Sequence, residues 1–244
     1  MINTNQAKLM HQSQVFNMQR GVPVLLAVMG MALSANPATA NPVVVEEPGA
    51  VVSEHHSRLY VTGAVGVNWP IARVATGEAG SFTEFSNPGF STEIGLGYDL
   101  KPLRLEMTYA LDVSRLRGYN SVSNQYYEYN RGGHTAKSSA FASLYWDLLP
   151  GKRLSPYIGG GIGLSSLDVR GFSEPGYDYE GYTKSLFAYQ AKAGLAYAID
   201  SKSKIFAEAV FRGTSGYNTF DGFNDWHNPS FPSWGGQVGV RIGL

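Results

Sequence analysis

The 244-residue chain contains no cysteine, which excludes disulfides, cysteine-ligated zinc and thiol nucleophiles. It carries no net charge, because 19 Lys and Arg balance 19 Asp and Glu. A global field that would draw in nucleic acid is therefore missing. No run of about 18 apolar residues occurs, so a helical membrane span is not expected. Charged residues make up only 16% of the chain, whereas Gly (29) and Tyr (15) are plentiful. That balance fits a β-rich chain with close backbone contacts.

The N-terminus reads as a targeting segment. Lys8 and Arg20 are followed by the short apolar core GVPVLLAVMGMALSA at 21–35 and by Ala38-Thr39-Ala40, with no acidic residue before it. A basic lead, an apolar core and a small-x-small site make a cleavable secretory signal. Residues 1–40 are assigned to it, with Met18 as an alternative start. Residues 41–57, with two prolines and three acids, read as a flexible periplasmic lead-in, and 58–244 as one domain.

The stretch SLFAYQAKAGLAYAIDSKSKIFAEAVFRG at 185–213 sets the pattern for that domain. Phe187, Tyr189, Ala191, Ala193, Leu195, Tyr197 and Ile199 alternate with Ala188, Gln190, Lys192, Gly194, Ala196 and Ala198. After the turn Asp200–Ser203 the alternation resumes. A period of two is the side-chain period of a β-strand, and two such runs about a short polar turn predict a hairpin. Eight runs of this kind are expected: Arg58–Val67, Phe90–Tyr98, Leu103–Leu111, Lys137–Leu148, Tyr157–Leu164, Phe187–Ile199, Lys204–Arg212 and Gln237–Leu244. Their lengths suit tilted strands that cross a bilayer.

The connections alternate. Asp99–Pro102, Leu149–Ser155 and Asp200–Ser203 are tight turns of Pro, Gly, Asp and Ser. Asn68–Gly89, Asp112–Thr135, Ser165–Ser185 and Gly213–Trp234 are each about twenty residues long, a length that is usually functional when structureless. Short turns at one end and long loops at the other predict an all-β, closed, eight-stranded antiparallel transmembrane barrel, with periplasmic turns and extracellular loops.

A soluble barrel would show the same alternation, so the direction of each face needs separate evidence. One parity carries no charge on any strand, as in Leu103, Leu105, Met107, Tyr109 and Leu111. The other mixes small residues with charges, as in Tyr157, Gly159, Gly161 and Gly163, which suits a narrow interior filled by side chains. Aromatic residues of the uncharged parity collect at strand ends: Tyr98, Trp146 and Tyr197 before short turns, and Trp69, Phe90, Tyr109, Phe187 and Phe211 toward the long loops. Aromatic girdles mark membrane interfaces. The uncharged face is therefore assigned to lipid. Glu93, Arg104, Glu106, Lys137, Asp147, Lys192, Glu208, Arg212 and Arg241 are assigned to the lumen.

SPYIGGGIGL at 155–164, AGLAYAIDSKSKIFAEAVFR at 193–212 and the terminal VGVRIGL at 238–244 resemble the opacity-type, outer-membrane protein A-like β-barrels over roughly 58–244. The resemblance implies a Gram-negative outer-membrane location with lipid and lipopolysaccharide as surroundings. It also implies insertion by the barrel-assembly machinery through the C-terminal strand. Such barrels commonly end on an aromatic residue, and this chain ends on Leu244.

Other chemistry has little support. Gly159–Gly163 lacks the Gly-Lys-Ser/Thr ending and the following helix of a phosphate loop. His55, His56, His134 and His227 share no ligand spacing, so no metal or cofactor is expected. Some barrels of this size modify lipid A with a His, a Ser and an acid, but His134 is followed by Thr135, Ala136 and Lys137. No catalytic residue is assigned. The lumen charges, mixed in sign, read as a salt-bridged plug in preference to a narrow ion path. With Ser201–Lys202 as the hairpin centre, paired positions sum to about 403. Lys192 then faces Phe211, and Glu208 is expected to bridge Lys192 and Arg212. The long loops, rich in Tyr, Asn, Ser and Gly, have the composition of recognition loops or of neutral solvated surface; nucleic acid is not indicated. Three functions follow in order: a structural or adhesin-like surface barrel, a low-conductance porin, and a lipid A-modifying enzyme.

Overall fold

The computed structural model describes residues 58–129, 132–174, 177–179, 181–220 and 225–244. The signal and lead-in assignments, with His55 and His56, lie outside the described residues. Eight long strands form the framework: β1 (Leu59–Pro70), β2 (Gly89–Asp99), β3 (Leu103–Asn120), β4 (His134–Asp147), β5 (Leu154–Val169), β6 (Tyr182–Ala198), β7 (Ser203–Thr214) and β8 (Ser233–Gly243). Each pairs antiparallel with its sequence neighbours, and β1 pairs with β8 from Tyr60↔Gly243 to Pro70↔Ser233. The ring is closed, so lipid meets no unpaired strand edge.

All eight expected strands are present, and each runs further toward the long loops than the alternation indicated. β3 continues from Leu111 to Asn120, because Asp112, Ser114 and Leu116 keep the inward parity and stay buried. The long connections are themselves partly paired. Arg73–Gly77 and Gly80–Ser86 make a hairpin that joins the upper end of β3, and Tyr217–Phe220 and Asp225–Asn228 make a second hairpin. The two hairpins meet through Trp226↔Gly77 and His227↔Thr76. Part of the backbone of these long connections thus finds sheet partners beyond the ends of the barrel strands.

The interior is layered. Near the short turns Tyr145, Tyr157 and Phe206 pack with Ala64 and Ala196. Ala110, Phe141 and Ala188 fill the middle. Toward the loops Leu116, Tyr129, Leu167, Val169, Leu186, Tyr217 and Phe231 form an apolar cluster. Glycines make room for the large rings. A Cβ on Gly159 would overlap the Tyr145 ring, and one on Gly97 the Tyr60 ring. Further along β5, a Cβ on Gly161 would meet the Ser143 side chain and one on Gly163 the Ala140 carbonyl.

The outward face carries Leu105, Met107, Ile162, Leu164 and Val238, all exposed, as lipid contact requires. Trp69, Phe90, Tyr98, Tyr109, Trp146, Phe187 and Tyr197 are likewise exposed on this face. Phe211 is only partly so, because it packs on Trp234 at 4.9 Å between ring centroids. Tyr109 does not stand at a strand end. With β3 extended, it pairs with Ile94 and Ala140 in the first half of the strand.

Candidate functional site

The alternation on each strand places nine charged residues singled out above, and one more, inside the ring. Glu93, Arg104, Glu106, Lys137, Asp147, Lys192, Glu208, Arg212 and Arg241 are all buried. The tenth is Asp112, on the part of β3 beyond the expected strand end at Leu111. Its signal was the unbroken inward series Glu106, Thr108, Ala110, Asp112.

Near the short turns Arg104 is the organiser. Its Nε lies 2.9 Å from Asp147 Oδ2 and its Nη1 2.6 Å from Glu106 Oε1. The same Nη1 donates to the Tyr60 hydroxyl at 3.1 Å, and that hydroxyl donates to Glu106 at 2.7 Å. The guanidinium sits over the rings of Tyr145 (4.8 Å) and Tyr157 (5.0 Å). Arg241 approaches Glu106 at 3.6 Å and stacks on Tyr60, Tyr157 and Phe206. A planar cation with apolar faces fits such an aromatic layer better than an ammonium would.

In the middle, Glu93 on β2 spans the lumen to both cations of the β6–β7 hairpin. Lys192 Nζ lies 2.5 Å from Oε1, and Arg212 Nη2 lies 2.5 Å from Oε2. Arg212 also pairs with Asp112 at 3.0 Å and donates to Ser91 at 3.1 Å and to Gln190 Oε1 at 3.2 Å. Glu208 pairs with Lys192 at 3.0 Å and accepts from the Tyr157 hydroxyl at 2.8 Å.

The expected Glu208 bridge is thus corrected. Paired positions across the hairpin sum to 402, so Lys192 faces Val210, Gly194 faces Glu208 and Gln190 faces Arg212. The one-residue change in register centres Lys192 between Glu208 and Arg212 and puts Gln190 beside Arg212. The acid that joins Lys192 and Arg212 comes from a strand on the far wall, which hairpin counting could not reach.

Toward the loops Lys137 lies 3.5 Å from Asp112 Oδ2, donates to Ser233 at 3.3 Å and sits over Phe231 at 5.6 Å. Above it Arg73, from the first loop hairpin, is buried against Glu84, the Tyr217 hydroxyl and the Phe231 ring, the last at 4.3 Å. Arg73 and Glu84 had no role in the sequence reading, because nothing local tells that the first and fourth loops meet. Within the eight strands, five cations (Arg104, Lys137, Lys192, Arg212, Arg241) face five acids (Glu93, Glu106, Asp112, Asp147, Glu208), and each has an opposite charge within 4 Å. Balanced pairing is the condition under which buried charge is tolerated.

The remaining candidates do not converge. His134 on β4 pairs with Arg115, whereas His227 belongs to the fourth-loop hairpin and lies 2.9 Å from Asn218 Oδ1. Among the described residues no three His, Asp or Glu side chains are grouped to hold a metal ion.

Comparison with known proteins agrees with the architecture. A family model described as a surface antigen matches residues 130–234. No curated protein sequence matches the chain. Among solved structures, the outer membrane protein OprG from Pseudomonas aeruginosa is 10% identical, with a TM-score of 0.55 over 78% of this chain and 98% of that one. Neisserial surface protein A is 19% identical over 77% of this chain and 98% of that one, with a TM-score of 0.49. The attachment invasion locus protein of Yersinia pestis is 12% identical over 76% and 99% of the two chains, with a TM-score of 0.36. At these identities the likeness concerns the fold alone, an antiparallel β-barrel.

Proposed function

Starting from a chain that has the fold of the opacity-type, outer-membrane protein A-like eight-stranded barrels and resides in the outer membrane, we propose a structural and surface-presenting role with a closed lumen. The observation that carries the reading is the balanced charge network, in which five cations and five acids from six strands are cross-paired. Charges committed to each other across the bore hold the walls together and leave little free to coordinate a passing ion. The cap of Arg73, Tyr217 and Phe231 supports the same reading from the loop side. The barrel then anchors in the envelope and offers its Tyr- and Asn-rich loop sheet as the contact surface, adhesin-like in character and without enzymatic chemistry. Protease digestion of intact cells tests the presentation. Cleavage in 118–133 and 214–234 with protection of the β-strands is expected; cleavage at the short turns Asp99–Pro102 or Asp200–Ser203 instead would reverse the orientation and refute the role.

A further inference from the structure

The outward aromatic belt at the loop end is not continuous around the barrel. Trp69 on β1, Phe90 on β2, Phe187 on β6, Phe211 on β7 and Trp234 on β8 mark it on five strands. On the other three strands, which are neighbours, cationic or titratable residues occupy the outward rim. β3 presents Leu103, Leu105, Met107, Tyr109, Leu111 and Val113 outward and then changes to Arg115. β4 ends at His134, directly opposite Arg115. The segment leaving β5 reaches Arg170, whose N–H donates to the His134 carbonyl at 2.8 Å.

The three positions therefore form one row across the wall, where the apolar face stops. Paired strand positions stand about 5 Å apart, within the span of one phosphate group and its neighbour. Arg117 extends the row along β3. The opposing strand shifts register between Phe85 and Ser86, so Arg117 has no direct partner in that ladder; its guanidinium lies 6.0 Å from the Tyr126 ring. Arg115, Arg117, His134 and Arg170 are all exposed. Below the row the wall steps inward, because β4 presents Ala136, Ser138, Ala140 and Ala142 between the bulkier outward residues of β3 and β5. Two acids lie near. Asp168 pairs with Arg170 at 2.6 Å, and Glu128 stands opposite Gly118 beyond Arg117.

We propose that this row is a docking site for a phosphorylated lipid of the outer leaflet, its phosphates held by Arg115 and Arg170 with Arg117 and His134 beside them. Placement decides the partner. An interfacial aromatic ring suits a neutral headgroup region, whereas a row of guanidinium groups at the same level suits fixed anions, since arginine forks match phosphate oxygens. A free phosphate would gain the same charge contacts but none from the apolar wall beneath. The site does not depend on whether the lumen conducts.

The test uses the purified, folded barrel in phosphatidylcholine nanodiscs, with diphosphoryl lipid A titrated in and bound lipid counted by native mass spectrometry. One interfacial cation contributes about fivefold to binding of an anionic surface. Arg115→Gln with Arg170→Gln is therefore expected to weaken lipid A binding about 25-fold, and each single variant about fivefold. Asp168→Asn should tighten binding, because it frees Arg170. Lipid A stripped of phosphate should lose its preference, and inorganic pyrophosphate should not displace the lipid. Folding is checked by heat-modifiable gel mobility, and the single variants stand in if the double variant folds poorly. Unchanged binding in the variants, an equal loss from Lys152→Gln with Arg153→Gln at the opposite end, or full displacement by pyrophosphate would each overturn the proposal.

Discussion

Removing the charge of Glu93 is the perturbation that strikes the lumen network hardest. Glu93→Gln keeps the shape of the side chain but leaves Lys192 and Arg212 without the carboxylate that each meets at 2.5 Å. Lys192 retains Glu208 at 3.0 Å and Arg212 retains Asp112 at 3.0 Å, so neither cation is orphaned. Breaking a buried pair by removing one partner costs about 3–5 kcal/mol. With those secondary partners in place, the expected loss is at the lower end, about 3 kcal/mol. Glu208→Gln breaks one pair only, and the Tyr157 hydroxyl still finds an amide oxygen to donate to. The loss of a charge-assisted contact there is worth about 1.5–3 kcal/mol at most. Urea unfolding of the reconstituted barrel, followed by tryptophan fluorescence, gives both values. The double change Glu93→Gln, Lys192→Met removes a surplus cation and should recover part of the stability. If Glu208→Gln costs more than Glu93→Gln, or the double variant recovers nothing, the network is not organised about Glu93.

Leu105→Arg puts a cation on the lipid face and should cost about 2–4 kcal/mol in the same unfolding assay, while Tyr127→Ala, at an exposed position above the membrane, should change little; equal losses would contradict the assignment of faces. Gly159→Ala forces a methyl group against the Tyr145 ring and should destabilise by about 1–3 kcal/mol; full stability would show that the lumen is looser than described. Asp200 in the β6–β7 turn accepts N–H bonds from Lys202 and Ser203, both at 2.7 Å, which hold its carboxyl below the usual carboxylate range. Its contribution is therefore complete above the unfolded value near pH 4 and fades as pH falls through the lower folded value. Asp200→Asn should flatten that part of the stability–pH curve, and an unchanged curve would remove the turn from the account.

The barrel strands were legible because two constraints act on every position at once. A lipid-facing residue must be uncharged and a lumen residue must be small or paired, so alternation and charge segregation report the same thing. Above the membrane the first constraint lapses. Tyr, Asn, Ser and Gly there fit strand or loop equally well, so the sequence beyond Leu111 does not separate the rest of β3 from a loop, and nothing local marks Arg73. The Trp226↔Gly77 and His227↔Thr76 pairings join segments about 150 residues apart and leave no local trace. Inside the barrel the identities of the charged residues followed from parity alone. Their partners did not: Glu93 reaches Lys192 and Arg212 from the far wall, a contact that counting positions across the β6–β7 hairpin leaves out.

The central claim, a lumen closed by its own ion pairs, is met most directly by single-channel recording of the purified barrel in planar bilayers at neutral pH. A closed lumen leaves the membrane silent for the parent protein, with brief openings appearing only when Glu93→Gln or Arg104→Gln loosens the network. Steady, resolvable conductance steps from the parent protein would contradict it.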